Sequence, residues 1–200
     1  MNPQPIMQET DLEDLDPRFK QQVDNARRAL GKNPAYAIAV LMPLLERHPG
    51  CLGMRKILRQ AQQSAAKGRL GPVRQLLGRL GWGGVHVAKD PVKAMQAAEA
   101  RLNFNPNTIA AYKQLAINAA ALQLWGTAAL AYEEIFRRKP TDWANVKTLM
   151  AAYTQMGKHA EAIRLGEYAS RAQPNDDEIQ LLLKTASVEQ AIEAGDWNAG

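Results

Sequence analysis

Residues 112–174 read YKQLAINAAALQLWGTAALAYEEIFRRKPTDWANVKTLMAAYTQMGKHAEAIRLGEYASRAQP. The stretch is two copies of one pattern laid end to end. Tyr112, Leu115, Ala119, Ala128, Tyr132 and Pro140 form the first copy; Val146, Leu149, Tyr153, Ala162, Gly166 and Pro174 form the second. Each member of the second copy lies 34 residues after its counterpart, and Pro106 lies the same distance before Pro140. A fixed period of this size, with apolar residues at helical spacing and a proline closing each unit, marks stacked helix–turn–helix units. Helices are expected near 107–122, 125–138, 142–156 and 159–172, with Gly157 in a turn.

These residues resemble the tetratricopeptide family over 91–195, and more weakly over 17–66. The resemblance implies an all-α chain, a tetratricopeptide-type α-solenoid of antiparallel helix pairs. In that family small residues such as Ala128 and Ala162 let paired helices approach, aromatics such as Tyr112, Tyr132 and Tyr153 fill gaps, and prolines such as Pro140 and Pro174 end second helices. The chain departs from the pattern at Ala116 and Met150, where glycine is usual, and at Gly166, where an aromatic is usual. Family function implies a non-catalytic scaffold that holds a peptide or helix of a partner protein in a groove lined by the first helices. The groove residues carried over are Lys113, Ile117 and Ala121 in one unit, and Lys147, Ala151, Thr154 and Gln155 in the next. Two aligned lysines suit an acidic peptide or a terminal carboxylate; the plain alternative is that both are solvated. Ile117, Thr148, Glu178 and Leu182 stand where the family's carboxylate clamp needs asparagines and bases, which argues against a chaperone-tail receptor.

Charge divides the 200 residues unevenly. Residues 1–16 hold five acids and no base, whereas residues 17–93 hold 15 Lys and Arg against Asp24, Glu46 and Asp90. The basic half suggests an anionic partner, or an acidic tail folded back on a basic face. Residues 1–15 read as a flexible acidic arm. Residues 16–66 read as a degenerate helical repeat region, with helices starting at Asp16-Pro17 and Pro34 and a third near 51–66. On the third, Arg55, Lys56 and Arg59 are expected to point outward. Pro43 inside the second predicts a kink.

Residues 67–90 break the register as a basic, glycine-rich insertion. Within it Val73, Leu76, Leu77 and Leu80 share a helical face, and Trp82 follows. One expectation is that this face packs between helices. Another is an amphipathic anchor on an anionic membrane, with Arg55, Lys56, Arg59, Arg69, Arg74 and Arg79 as its charged patch. Nucleic acid is a poor fit, because no aromatic stacking platform or recognition helix accompanies the bases.

Residues 91–200 carry the repeats, the last incomplete. Its long helix, about 176–194, is expected to leave Ile179, Leu182, Leu183 and Ala186 facing outward from the stack, so that the helix caps the solenoid or the sequence is a fragment of a longer protein; a homodimer through that helix is the partner this exposure suggests. His48, His86, His159 and the single Cys51 form no nucleophile–base pair or metal spacing, so neither catalysis, a metal nor another cofactor is expected. Residues 1–16 lack a signal-peptide pattern. The expected location is cytoplasmic, with membrane association through the insertion as the alternative.

Overall fold

A computed structural model describes residues 7–67 and 86–196. Among the described residues there are nine α-helices, one 3-10 turn at Leu12–Asp14, and no sheet beyond an isolated parallel bridge between Thr10 and Cys51. The chain divides into two compact units, Met1–Thr127 and Ala128–Gly200.

The first unit contains α1 (Pro17–Ala29), α2 (Pro34–Arg47), α3 (Leu52–Ala66), α4 (Pro91–Phe104), α5 (Ile109–Ala121) and the first residues of α6 (Trp125–Arg138). The starts follow the chemistry of orphan backbone donors. Asp16 accepts from the Arg18 N–H at 2.8 Å, Asn33 from Tyr36 at 3.1 Å and Asp90 from Lys93 at 3.0 Å, each with proline as the next residue. Helix α2 continues through Pro43 to Arg47. Consecutive helices pack together, α1 on α2, α2 on α3 and α4 on α5. Val23, Ala26, Leu41, Leu44, Met54 and Leu58 form a buried core among the first three.

Arg55 and Arg59 correct the sequence expectation. Both are buried, at 2% and 4% exposure, and only Lys56 of the three points to solvent. Their partner is Glu99 on α4, itself 3% exposed. Arg55 Nε donates to Glu99 Oε1 at 3.1 Å, and Arg59 Nη2 donates to Oε1 and Oε2 at 3.2 and 3.0 Å. Arg55 also donates to Thr127 Oγ1 at 2.9 Å, Arg59 donates to Gln62, and Gln62 donates to Asn103 at 2.7 Å. The Arg59 guanidinium lies 4.9 Å from the centroid of the Tyr112 ring, an attraction between cation and π-face. Burial pulls the Arg55 guanidinium below its usual pKa, and Glu99 opposes that pull. Polar residues on an apparently solvent-facing stripe are thus interior because a carboxylate 40 and 44 residues away meets them.

Residues 7–15 correct the flexible-arm expectation for the part described. The Met7 N–H donates to Leu122 O at 3.1 Å and Thr10 N–H to Gly50 O at 3.1 Å. Glu9 Oε1 accepts from the Thr127 N–H at 2.8 Å, so the arm supplies a carboxylate to the first turn of α6. Leu15 is buried in the core of the first three helices. A Cβ at Gly50 would lie 2.5 Å from the Gln8 carbonyl oxygen, so the arm's course requires glycine there.

The second unit contains the rest of α6, α7 (Trp143–Gln155), α8 (His159–Ala172) and α9 (Asp177–Asp196). Gly157, at φ 67°, makes the turn between α7 and α8. Helix α8 packs on α7 and α9, and α9 also packs on α7. Two departures from the repeat pattern explain each other. A Cβ on Gly166 would lie 2.7 Å from Met150 Cε and 3.0 Å from Leu183 Cδ1, so the long side chain at 150 fills the room that glycine vacates. Helix α9 corrects another expectation. Ile179 and Ala186 are fully buried, and Leu182 and Leu183 are half-buried; the outward apolar residues are Leu181, Val188 and Ile192. The inward face is the one that meets α8 and α7. His159 is buried, with Nε2 3.1 Å from Glu193 Oε1.

Glu99→Ala leaves two buried guanidinium groups without a counterion, and its expected cost is about 3–5 kcal/mol. Urea unfolding of the full chain measures it, and Arg55→Met/Arg59→Met/Glu99→Met together recovers most of the loss. Gly166→Leu is expected to cost about 1–3 kcal/mol by overpacking. Added to Met150→Ala, it costs less than the two single changes summed, which a thermal-melt double-mutant cycle detects.

Candidate functional site

Helix α5 presents two carboxamides four residues apart, Gln114 and Asn118, on one face. They hold the extended residues 86–88 by main-chain atoms. Gln114 donates Nε2–H to His86 O at 2.9 Å and accepts the His86 N–H on Oε1 at 3.1 Å. Asn118 donates Nδ2–H to the same oxygen at 3.1 Å and accepts the Ala88 N–H on Oδ1 at 2.9 Å. A second bond from Asn118 Nδ2 to Gln114 O, at 2.8 Å, fixes the amide on its helix. The pairing reproduces with side chains what a neighbouring strand supplies with its backbone, and it uses only main-chain atoms of His86 and Ala88. Lys113, Ile117 and Ala121, the expected groove residues of this unit, are half-buried on the same helix. The two amides were missed as functional groups; their signal was a pair of carboxamides at helical spacing in an otherwise uncharged alanine-rich stretch.

In the second unit Lys147, Ala151, Thr154 and Gln155 all lie on α7. Lys147 and Ala151 line an open groove of about 400 Å³ with Ala144, Thr148, Glu178 and Leu182. Thr154 instead donates its hydroxyl to Met150 O at 3.1 Å, and Gln155 is exposed. Lys147 Nζ lies 2.8 Å from Asp176 Oδ2 and 2.7 Å from Glu178 Oε2. Those two hydrogen bonds raise the ammonium pKa, and the bond from Lys147 holds Asp176 below the usual carboxylate value. Asp176 also accepts the N–H groups of Glu178 and Ile179, each at 3.1 Å, so one carboxylate both caps α9 and binds the lysine. The carboxylates expected from a partner are therefore already present within the chain.

Of the expected anionic-surface patch, Arg55 and Arg59 are withdrawn by burial and Lys56 remains exposed. Arg69, Arg74 and Arg79, and the apolar face of Val73, Leu76, Leu77, Leu80 and Trp82, lie outside the described residues. Among the described residues no helix is long and apolar enough to cross a membrane, and no three His, Cys, Asp or Glu cluster as metal ligands. Cys51 is fully buried, and burial pushes its thiol above the usual value, which disfavours the nucleophilic thiolate.

Comparison with protein-family models, with curated proteins and with solved structures gave no significant match.

The stabilisation from the Lys147 pair has a defined pH window. Asp176 is depressed from 3.8, so its contribution is complete above that value and disappears as pH falls through the lower folded value. Lys147 is raised from 10.5, so its contribution is complete below that value and is lost as pH rises through the higher folded one. Melting temperatures of the wild type and Lys147→Met are expected to differ most between these limits and to converge at both ends.

Proposed function

We propose that the chain is a non-catalytic protein-binding scaffold of tetratricopeptide-type helix pairs, taking an extended peptide or a helix of a partner protein on the first-helix faces of α5 and α7. The observation that carries this reading is the carboxamide pair of α5. Gln114 and Asn118 engage an extended segment through four main-chain hydrogen bonds without using its side chains. A face that holds 86–88 in this way has the chemistry to hold a peptide of another protein. The 34-residue register supports the family reading, and the close packing at Ala162, which is fully buried, agrees with the role that family gives a small residue there.

The α7 groove suits a partner differently from the way its lysine suggested. Asp176 and Glu178 neutralise Lys147, so an acidic peptide there must displace two intrachain carboxylates. Neutral main-chain and apolar contacts at Ala144, Ala151 and Leu182 are the better anchors. Anchoring to anionic lipid through residues 67–90 is weakened by the burial of Arg55 and Arg59, which leaves fewer bases for that surface.

Photo-crosslinking in cells tests the scaffold reading. A benzoylphenylalanine at Ile117 or Ala151 is expected to give discrete protein adducts, and one at exposed Arg171 is expected not to. The same adducts at all three positions, or none at Ile117 and Ala151, would overturn it.

A further inference from the structure

We propose that the cavity formed by α6, α7 and α8 in the second unit binds the guanidinium of an arginine side chain from a protein partner. The cavity holds about 340 Å³, within the range of roughly 300–1,000 Å³ typical of small-ligand sites. Leu149 and Leu165 form its apolar floor, and the rings of Phe136, Tyr153 and Tyr168 line it.

The rings are held before any ligand arrives. Phe136 meets Tyr168 edge-to-face with centroids 5.8 Å apart, and Trp143 lies 6.0 Å from Tyr168 on another side. Tyr168 is nevertheless 40% exposed, so a large aromatic is kept at the surface by its neighbours instead of packing beneath them. The Tyr153 hydroxyl donates to Glu133 Oε1 at 2.9 Å, which orients both groups. Burial, reinforced by Glu133, pushes the Tyr153 phenol up, so it stays a neutral donor.

Charge then selects the ligand. The cavity carries two carboxylates, Glu133 and Glu161, and one base, Arg164. The neighbouring Glu134 is already paired with Arg137 at 2.8 Å and Arg138 at 2.6 Å. Glu133 and Glu161 have no ion-pair partner within 4.0 Å among the described residues. An excess carboxylate repels an acidic ligand, and an aliphatic group would leave it without a counter-ion. Aromatic faces carry negative partial charge and attract a cation. A guanidinium is planar and weakly hydrated: it stacks on a ring while its N–H groups reach a carboxylate in its own plane, which a compact ammonium does less well. The site does not rest on the α5 carboxamides or the α7–α9 groove, and its failure leaves the scaffold reading intact.

The test is NMR titration of the isotope-labelled full chain with N-acetyl-arginine amide, beside N-acetyl-citrulline amide, which has nearly the same shape without the charge. Saturable shifts are expected at the amides of Leu149, Tyr153 and Leu165, with arginine bound at least about tenfold more tightly than citrulline. Glu133→Gln/Glu161→Gln should remove that preference. Tyr168→Ala, a change at an exposed ring, should weaken arginine binding in a chain whose spectrum is otherwise preserved, and it carries the test if the double variant fails to fold. Equal binding of the two probes, shifts that do not saturate, or unchanged arginine binding by Tyr168→Ala would overturn the proposal.

Discussion

Glu99, a single carboxylate between two buried guanidinium groups, is the interaction on which the first unit depends. Helices α3 and α4 are separated in sequence by residues 67–90, and Glu99 joins them where chain continuity does not. Around it Gln62, Asn103 and Thr127 take up further polar atoms, so α3, α4 and the start of α6 share one network, and Tyr112 of α5 covers Arg59. Removing three charges from water is costly, and attraction offsets it only where the geometry and the remaining hydrogen bonds are good. That condition makes the network selective. An apolar seam would tolerate sliding of one helix along the other, whereas carboxylate oxygens 3.0–3.2 Å from three guanidinium contacts do not.

The irregular segments of this unit follow a second rule. Residues 7–10 and 86–88 both lie extended and are held largely through backbone atoms, by Gly50, Leu122 and Thr127 in one case and by Gln114 and Asn118 in the other. Extended chain has unpaired donors and acceptors on both edges, and burying any of them without a partner is costly. Helices cannot offer interior backbone groups for this purpose, so their ends and their amide side chains do it.

The helical architecture was readable because it is written in local periodicity. The helix starts at Asp16-Pro17 and Pro34 and the turn at Gly157 lie where their residues predict them. What was not readable is what depends on distant partners. Arg55 and Arg59 lie on the polar stripe of an amphipathic helix, and nothing within one helix distinguishes a solvated stripe from one facing a buried carboxylate. A signal did exist: Arg55 and Arg59 are spaced four apart, as are Glu99 and Asn103, so each helix carries a matching polar pair. The arm misled for a similar reason, since a short acidic segment with prolines has no periodicity even when its backbone is docked. Gly166 and Met150 looked like two independent departures and are one exchange of volume. Lys147 lines a groove, but its pairing with Asp176 and Glu178 depends on the close approach of α7 to the start of α9.

The contact between Glu9 and Thr127 joins positions 118 residues apart. A chain made from its N-terminus cannot form that contact until α6 has been synthesised, although the arm is made before α6. Until then the carboxylate at Glu9 has no seat at α6, whereas Leu12 packs against the core of the first three helices. Helices α1 to α3 pack on one another locally and can assemble early, while the arm's contacts with Leu122 and Thr127 wait for α5 and α6.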